Sequence, residues 1–148
     1  MSSWIHVAGV IRINGYVNDE TFDSIIGKEC TWGSGKWDEY NEHPEDFLPM
    51  GSEGSLQKSV WVNPNKDSLA SYTISIFGDL RDRENPDTII EWFKNLCQKI
   101  EDSDKYDVED EDNIFSCWIR QATIYVDAEW FGRKTYTWGI DNVTDRNS

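Results

Sequence analysis

Three segments of this chain alternate apolar and polar residues strictly enough to set the geometry of everything between them. In Trp4 to Ile13, Ile5, Val7, Gly9, Ile11 and Ile13 alternate with Trp4, His6, Ala8, Val10 and Arg12. In Ser71 to Arg81, Tyr72, Ile74, Ile76, Gly78 and Leu80 share one face, against Ser71, Thr73, Ser75, Phe77, Asp79 and Arg81. From Trp118 to Trp130, Ala122, Ile124, Val126, Ala128 and Trp130 alternate with Gln121, Thr123, Tyr125, Asp127 and Glu129. Successive side chains of a strand point to opposite sides, so each segment reads as a strand with one buried and one open face.

The remaining patterns supply the cover for the buried side. Asn18 or Asp19 is positioned to cap a short helix carrying Phe22, Ile25 and Ile26, which Gly27 stops. Asn85-Pro86-Asp87 places a capping side chain, a proline at the first helical position and an acid near the positive end of the helix dipole. That helix is predicted to run to about Ile100, with Ile89, Phe93, Leu96, Cys97 and Ile100 as its apolar stripe and Ile90 and Trp92 beside it. Leu56 to Val62 reads as a further strand ended by Asn63-Pro64-Asn65, and Phe131-Gly132 permits a hairpin into Arg133 to Trp138. The order β-α-β-β-α-β, with one extra C-terminal strand, predicts an α+β fold of ferredoxin-like, split βαβ type. An antiparallel sheet would carry two helices on one face and leave the other open.

Two stretches stand outside this pattern. From about residue 30 to 54 the periodicity disappears, and glycine, proline and acids surround Trp32, Trp37, Tyr40 and Phe47. A loop of that length is either functional or contains structure that periodicity does not reveal. The segment of about 101–113 is an acidic loop that contains Asp107, Glu109, Asp110, Glu111 and Asp112. The whole chain, with 28 Asp+Glu against 14 Lys+Arg, has a formal charge of −14. Such a charge repels nucleic acid and anionic membranes, so direct DNA or RNA binding and membrane association are not expected. At 148 residues one domain, 1–148, buries roughly 70% of its unfolded surface and needs no metal or disulfide to fold. Cys30, Cys97 and Cys117 are odd in number and widely spaced, which reads as reduced thiols in a cytosolic protein. The N-terminus, without a basic or signal-like apolar segment, agrees with that setting.

Motifs that would carry catalysis do not hold together. Trp32-Gly33-Ser34-Gly35-Lys36 has Cys30 and Trp37 where a phosphate-binding loop needs glycine and a hydroxyl. Gly51-Ser52-Glu53-Gly54-Ser55 does not match the GxSxG nucleophile turn. His6 and His43 are the only histidines, and neither belongs to a catalytic or metal-binding motif. Asp107 to Asp112 lacks the central glycine of a calcium loop, and Cys97 lies on the apolar face of its helix. No cofactor, metal site or catalytic residue is therefore assigned.

Two candidate surfaces remain. The open sheet face gathers His6, Arg12, Thr73, Ser75, Phe77, Gln121 and Tyr125, a mixed polar and aromatic set suited to a ligand. Trp32, Trp37, Tyr40 and Phe47, together with Asp107, Glu109, Asp110, Glu111 and Asp112, form an acidic and aromatic set suited to a protein partner. At Trp4-Ile5-His6-Val7-Ala8-Gly9, Gly51-Ser52-Glu53-Gly54-Ser55-Leu56, Ile76-Phe77-Gly78-Asp79-Leu80-Arg81-Asp82 and Ile89-Ile90-Glu91-Trp92-Phe93 the chain resembles small uncharacterised proteins encoded by bacteriophages. That resemblance implies the cytoplasm of an infected bacterial host, a setting in which small acidic proteins without catalytic motifs often look like inhibitors of host defence.

Three functional expectations follow. The first is a non-enzymatic acidic inhibitor, anti-CRISPR-like, that binds a basic, nucleic-acid-binding host protein. The second is a sponge for a small nucleotide signal, with Arg12 and His6 at phosphate and Phe77 or Tyr125 stacked on the base. The third is a small enzyme acting on such a signal. Trp4, Val10, Phe77 and Tyr125 on an open face also predict a homodimer that buries them.

Overall fold

The computed structural model describes residues 3–17, 25–29, 42–63, 71–82, 85–102 and 115–139. Its centre is a five-stranded antiparallel sheet formed by β1 (Trp4–Val17), β2 (Gln57–Val62), β3 (Ser71–Arg81), β4 (Phe115–Ala128) and β5 (Gly132–Thr137). The spatial order is β2-β3-β1-β4-β5, so the first strand lies in the middle, between the two other strands that alternate most cleanly. β1 pairs with β3 from Trp4↔Arg81 to Asn14↔Ser71, and with β4 from Ile5↔Ala128 onward. A bulge interrupts the second pairing: Arg12 faces Gln121, Ile13 faces Ile119, and Arg120 is the extra residue.

One side of the sheet is the core. Ile5, Ile11, Ile13, Ile74, Ile76, Leu80 and Ile124 are each at most 1% exposed, and all belong to the alternating faces predicted to be apolar. Helix α1 (Asp87–Glu101) covers this side with Ile89, Ile90, Phe93, Leu96, Cys97 and Ile100. Its start follows the capping argument, because Asn85 Oδ1 accepts the Asp87 N–H at 2.9 Å. Lys134 on β5 pairs with Asp87, and Phe93 meets the Tyr136 ring edge-on at 6.1 Å, so the helix is held toward the β4-β5 side. The Cys97 thiol is buried, and burial, reinforced by Glu101, pushes its pKa up to about 12. It is a packing residue and not a thiolate.

The other half of the cover departs from expectation. Residues 18–24, which carry most of the predicted first helix, lie outside the described residues; 25 and 26 are helical, and Ile26 is in the core. One helix is therefore described on the sheet where two were predicted. The loop predicted over 30–54 does not lie across the open face in its described part. Its Pro44–Asp46 turn leads into Phe47, Leu48, Pro49 and Met50, all buried, and Leu48 and Leu56 join the same cluster as the helix. Lys28 donates its amide to Asp46 O at 2.9 Å and accepts the Leu48 N–H at 2.9 Å, closing a short parallel bridge. The apolar run Phe47-Leu48-Pro49-Met50 was too short to show a period, but long enough to need burial. At the C-terminal hairpin, Trp130 belongs to the turn and not to the core face predicted for it, because β4 ends at Ala128 and the ring is 65% exposed. Among the described residues no helix is long and apolar enough to cross a membrane.

Candidate functional site

The face opposite the helix carries ordered rows of side chains, because the registers of β1, β3, β4 and β5 fix which residues are cross-strand neighbours. At one end the row is Arg133, Asp127, His6 and Asp79. Next come Thr135, Tyr125, Ala8, Phe77 and Gln57. Thr137, Thr123, Val10, Ser75 and Ser59 follow, then Gln121, Arg12, Thr73 and Trp61. All seven residues assigned to this face from the sequence, His6, Arg12, Thr73, Ser75, Phe77, Gln121 and Tyr125, fall within these four rows.

The second row holds the most distinctive geometry. Ala8 sits between Tyr125, 60% exposed, and Phe77, 43% exposed, on the two neighbouring strands. Neighbouring strands lie about 4.8 Å apart, so Tyr125 and Phe77 stand two strand spacings apart at the backbone, with the Ala8 methyl group on the strand between them. On the Tyr125 side a concavity of about 460 Å³ opens, lined by His6, Ala8, Tyr125, Asp127, Arg133 and Thr135 together with Val7, Val126 and Lys134, and not by Phe77. Its size lies within the range of about 300–1,000 Å³ common for small-molecule sites.

The row above is a mixed ionic cluster. His6 Nδ1 lies 2.6 Å from Asp79 Oδ1, and its Nε2 lies 3.5 Å from Glu129 Oε1. Arg133 Nε is 3.5 Å from Asp127 Oδ2. The hydrogen bond to Asp79 raises the His6 pKa; partial burial opposes it, and the charges of Asp79, Glu129 and Asp127 add to the rise. A histidine ringed by carboxylates repels phosphate, so His6 is misplaced for the phosphate contact expected of it. Its raised pKa gives a definite pH dependence. The stability that the imidazolium contributes is fully present below the ordinary histidine value of about 6.5 and is lost as pH rises through the higher native value. His6→Gln should flatten that loss in urea melts compared between pH 5.5 and 8.5. An unchanged slope would mean that His6 is not the titrating group; the amplitude is small because the side chain is half exposed.

The other candidate surface is divided by the structure. Phe47 is not an exposed anchor for a partner: it is 4% exposed, with the Lys28 ammonium 5.9 Å from its ring centroid. Trp32, Trp37, Tyr40, Asp107, Glu109, Asp110, Glu111 and Asp112 lie outside the described residues. His43 is exposed at the start of the Pro44–Asp46 turn, and no cluster of His, Cys, Asp and Glu able to hold a metal is present among the described residues.

Among the residues of the open face that sequence reasoning missed are Gln57, Ser59, Arg133, Thr135 and Thr137 of the flanking strands and three larger side chains. Trp61, 52% exposed, pairs with Thr73, and plain alternation within β2 places it there. Trp118 and Arg120 are also exposed, but the bulge shifts the phase of β4 between them and Tyr125, and no glycine marks it. Comparison with known proteins adds nothing to these assignments: no family model, no curated protein and no solved structure matches the chain.

Proposed function

We propose that the protein is a non-enzymatic binding protein whose open sheet face sequesters a small nucleotide. The observation that carries this reading is the Tyr125-Ala8-Phe77 row, in which two exposed rings flank a side chain too small to fill the space between them. A heteroaromatic base has a polarizable face that stacks on such rings regardless of sequence, and the adjoining concavity supplies hydrogen-bond partners for its edge. Binding without turnover fits the ionic row, where both ring nitrogens of His6 face carboxylates and no Ser, Thr or Cys is paired with it among the described residues. A bacteriophage counter-defence setting would give such sequestration a purpose. The fold reading that accompanies it is the full split βαβ arrangement with two helices on one face of the sheet. It is supported by the β2-β3-β1-β4 order, by the antiparallel pairing of every neighbour, and by the helical conformation of residues 25 and 26.

Thermal melts with a panel of nucleoside mono-, di- and cyclic phosphates test the proposal. A ligand present at 100 times its Kd should stabilise the wild type by about 2.7 kcal/mol. Phe77→Ala and Tyr125→Ala should each weaken binding roughly 5- to 150-fold, the cost of removing one stacking partner, while leaving the unliganded melt almost unchanged. No shift with any nucleotide would overturn the reading, and degradation of the nucleotide would replace sequestration by catalysis.

The −14 charge favours a second reading, an inhibitor that docks a basic host protein on the carboxylate end formed by Asp79, Asp127 and Glu129. Retention of a purified basic partner that falls with salt and is abolished by Asp79→Asn/Asp127→Asn/Glu129→Gln, in a protein that binds no nucleotide, would favour it. A second copy of the chain on the same face would show as a dimer that Phe77→Asp converts to monomer.

A further inference from the structure

We infer that the Arg12 end of the open face is a phosphate subsite, formed by Arg12 and Arg120 across the β1-β4 bulge with Gln121 and Thr73 beside them. The inference rests on the nucleotide reading and adds the position of the phosphate and the residues that hold it. In a chain with twice as many acids as bases, a cation without a carboxylate neighbour is unusual. The other arginines whose side chains the structure describes do have them: Arg81 Nη1 lies 2.7 Å from Glu53 Oε1, and Arg133 is beside Asp127. Lysines are engaged as well, Lys134 by Asp87, Lys58 by the Gly27 carbonyl, and Lys94 by the Tyr136 ring. Among the described residues, Arg12 and Arg120 have no carboxylate within ion-pair distance.

The bulge brings these two charges together. Because Ile119 and Ala122 both face the core, Arg120 and Gln121 between them both face outward, and two residues of β4 oppose the single Arg12. Opposed residues of an antiparallel pair lie about 5 Å apart at their Cα atoms, which puts Arg12 and Arg120 on adjacent strands within reach of a common oxyanion. The helix end fixes this feature, since the Ile119 N–H donates to Glu101 Oε1 at 2.9 Å. Two neighbouring guanidiniums repel each other, and an oxyanion between them removes that repulsion while accepting several charge-assisted hydrogen bonds. Gln121 and the Thr73 hydroxyl stand in the same row as further donors.

The face is therefore polar along its length. Asp79, Asp127 and Glu129 occupy one end and exclude phosphate, whereas Arg12 and Arg120 occupy the other. Ala8 and Arg12 are four residues apart on β1, about 13 Å at the rise of a strand, with Val10 between them. A base on the Tyr125-Ala8-Phe77 row would thus direct its sugar over Val10 and its phosphate toward the arginines, with the ligand aligned along β1.

Calorimetric titration of the full chain with matched pairs of nucleosides and their 5′-monophosphates and cyclic monophosphates tests the subsite. For the wild type the phosphate should tighten binding about tenfold over the nucleoside at low salt. In Arg12→Gln/Arg120→Gln that advantage should vanish while nucleoside affinity stays within twofold, and Arg12→Lys/Arg120→Lys should restore part of it. Equal affinity of the wild type for nucleoside and nucleotide, or an advantage that survives the double glutamine variant, would overturn the subsite and leave the stacking row intact. Binding of neither ligand by the wild type would overturn both.

Discussion

Gly54→Ala is expected to destabilise the protein by roughly 2–5 kcal/mol, although it adds a single methyl group at a partly exposed turn. Gly54 has φ +80°, where a residue with a Cβ pays about 1–2 kcal/mol. The added carbon would also lie 2.0 Å from the Asp79 carbonyl oxygen, a backbone atom that cannot rotate away. Segment 51–56 would have to lift off β3, and two backbone hydrogen bonds would go with it: Arg81 N–H to Glu53 O at 3.0 Å and Ser52 N–H to Arg81 O at 2.9 Å. Each contributes about 0.5–1.5 kcal/mol net. Gly139→Ala is the matched control, because its φ is +85° and nothing lies within 4 Å of the added carbon. It should cost only the backbone part, about 1–2 kcal/mol. Urea unfolding of both variants checks the difference; equal losses would mean that the close approach of residues 51–56 to β3 is not as described.

Phe93→Ala should be about as damaging, at about 3–5 kcal/mol. Phe93 is fully buried in α1, and its ring contacts the edge of Tyr136 while the Trp92 ring lies 6.5 Å away. Truncation leaves a cavity between helix and sheet and removes the aromatic contact that ties α1 to β5. Against a typical stability of about 5–15 kcal/mol this is a large fraction, so the urea midpoint should fall steeply. The open face, on the far side of the sheet, should keep the nucleotide affinity proposed for it in whatever fraction remains folded. A loss below 1 kcal/mol would show that the helix is not seated on the sheet through this ring.

The strands and α1 were legible because burial on one side imposes a period, and Ile5 to Ile13, Tyr72 to Leu80 and Ala122 to Ala128 obey it without exception at their buried positions. The helix start was legible from Asn85-Pro86-Asp87, which acts locally. Phe47 was not, since its burial depends on a bridge to Lys28, 19 positions earlier, which leaves no period. The membership of the open face was readable from alternation, but its arrangement was not. That His6 is surrounded by Asp79, Glu129 and Asp127 depends on β1 lying between β3 and β4, a fact of pairing that no single strand contains. Arg120 was hidden for a different reason: a one-residue bulge reverses the inside-outside phase of β4, and the side chains around it, Ile119, Arg120 and Gln121, are ordinary strand residues.

The central claim, that the open face is the binding surface and that a ligand lies along β1, is tested most directly by titrating isotopically labelled protein with a nucleotide that shifts its melt and following the backbone amides. The largest changes should fall on Ala8, Val10, Thr73, Phe77, Thr123 and Tyr125 and extend to Arg12 and Arg120, with Ile89 to Ile100 of α1 unmoved. Changes centred on α1, or at the loop around Phe47, with the four rows of the open face undisturbed, would contradict it.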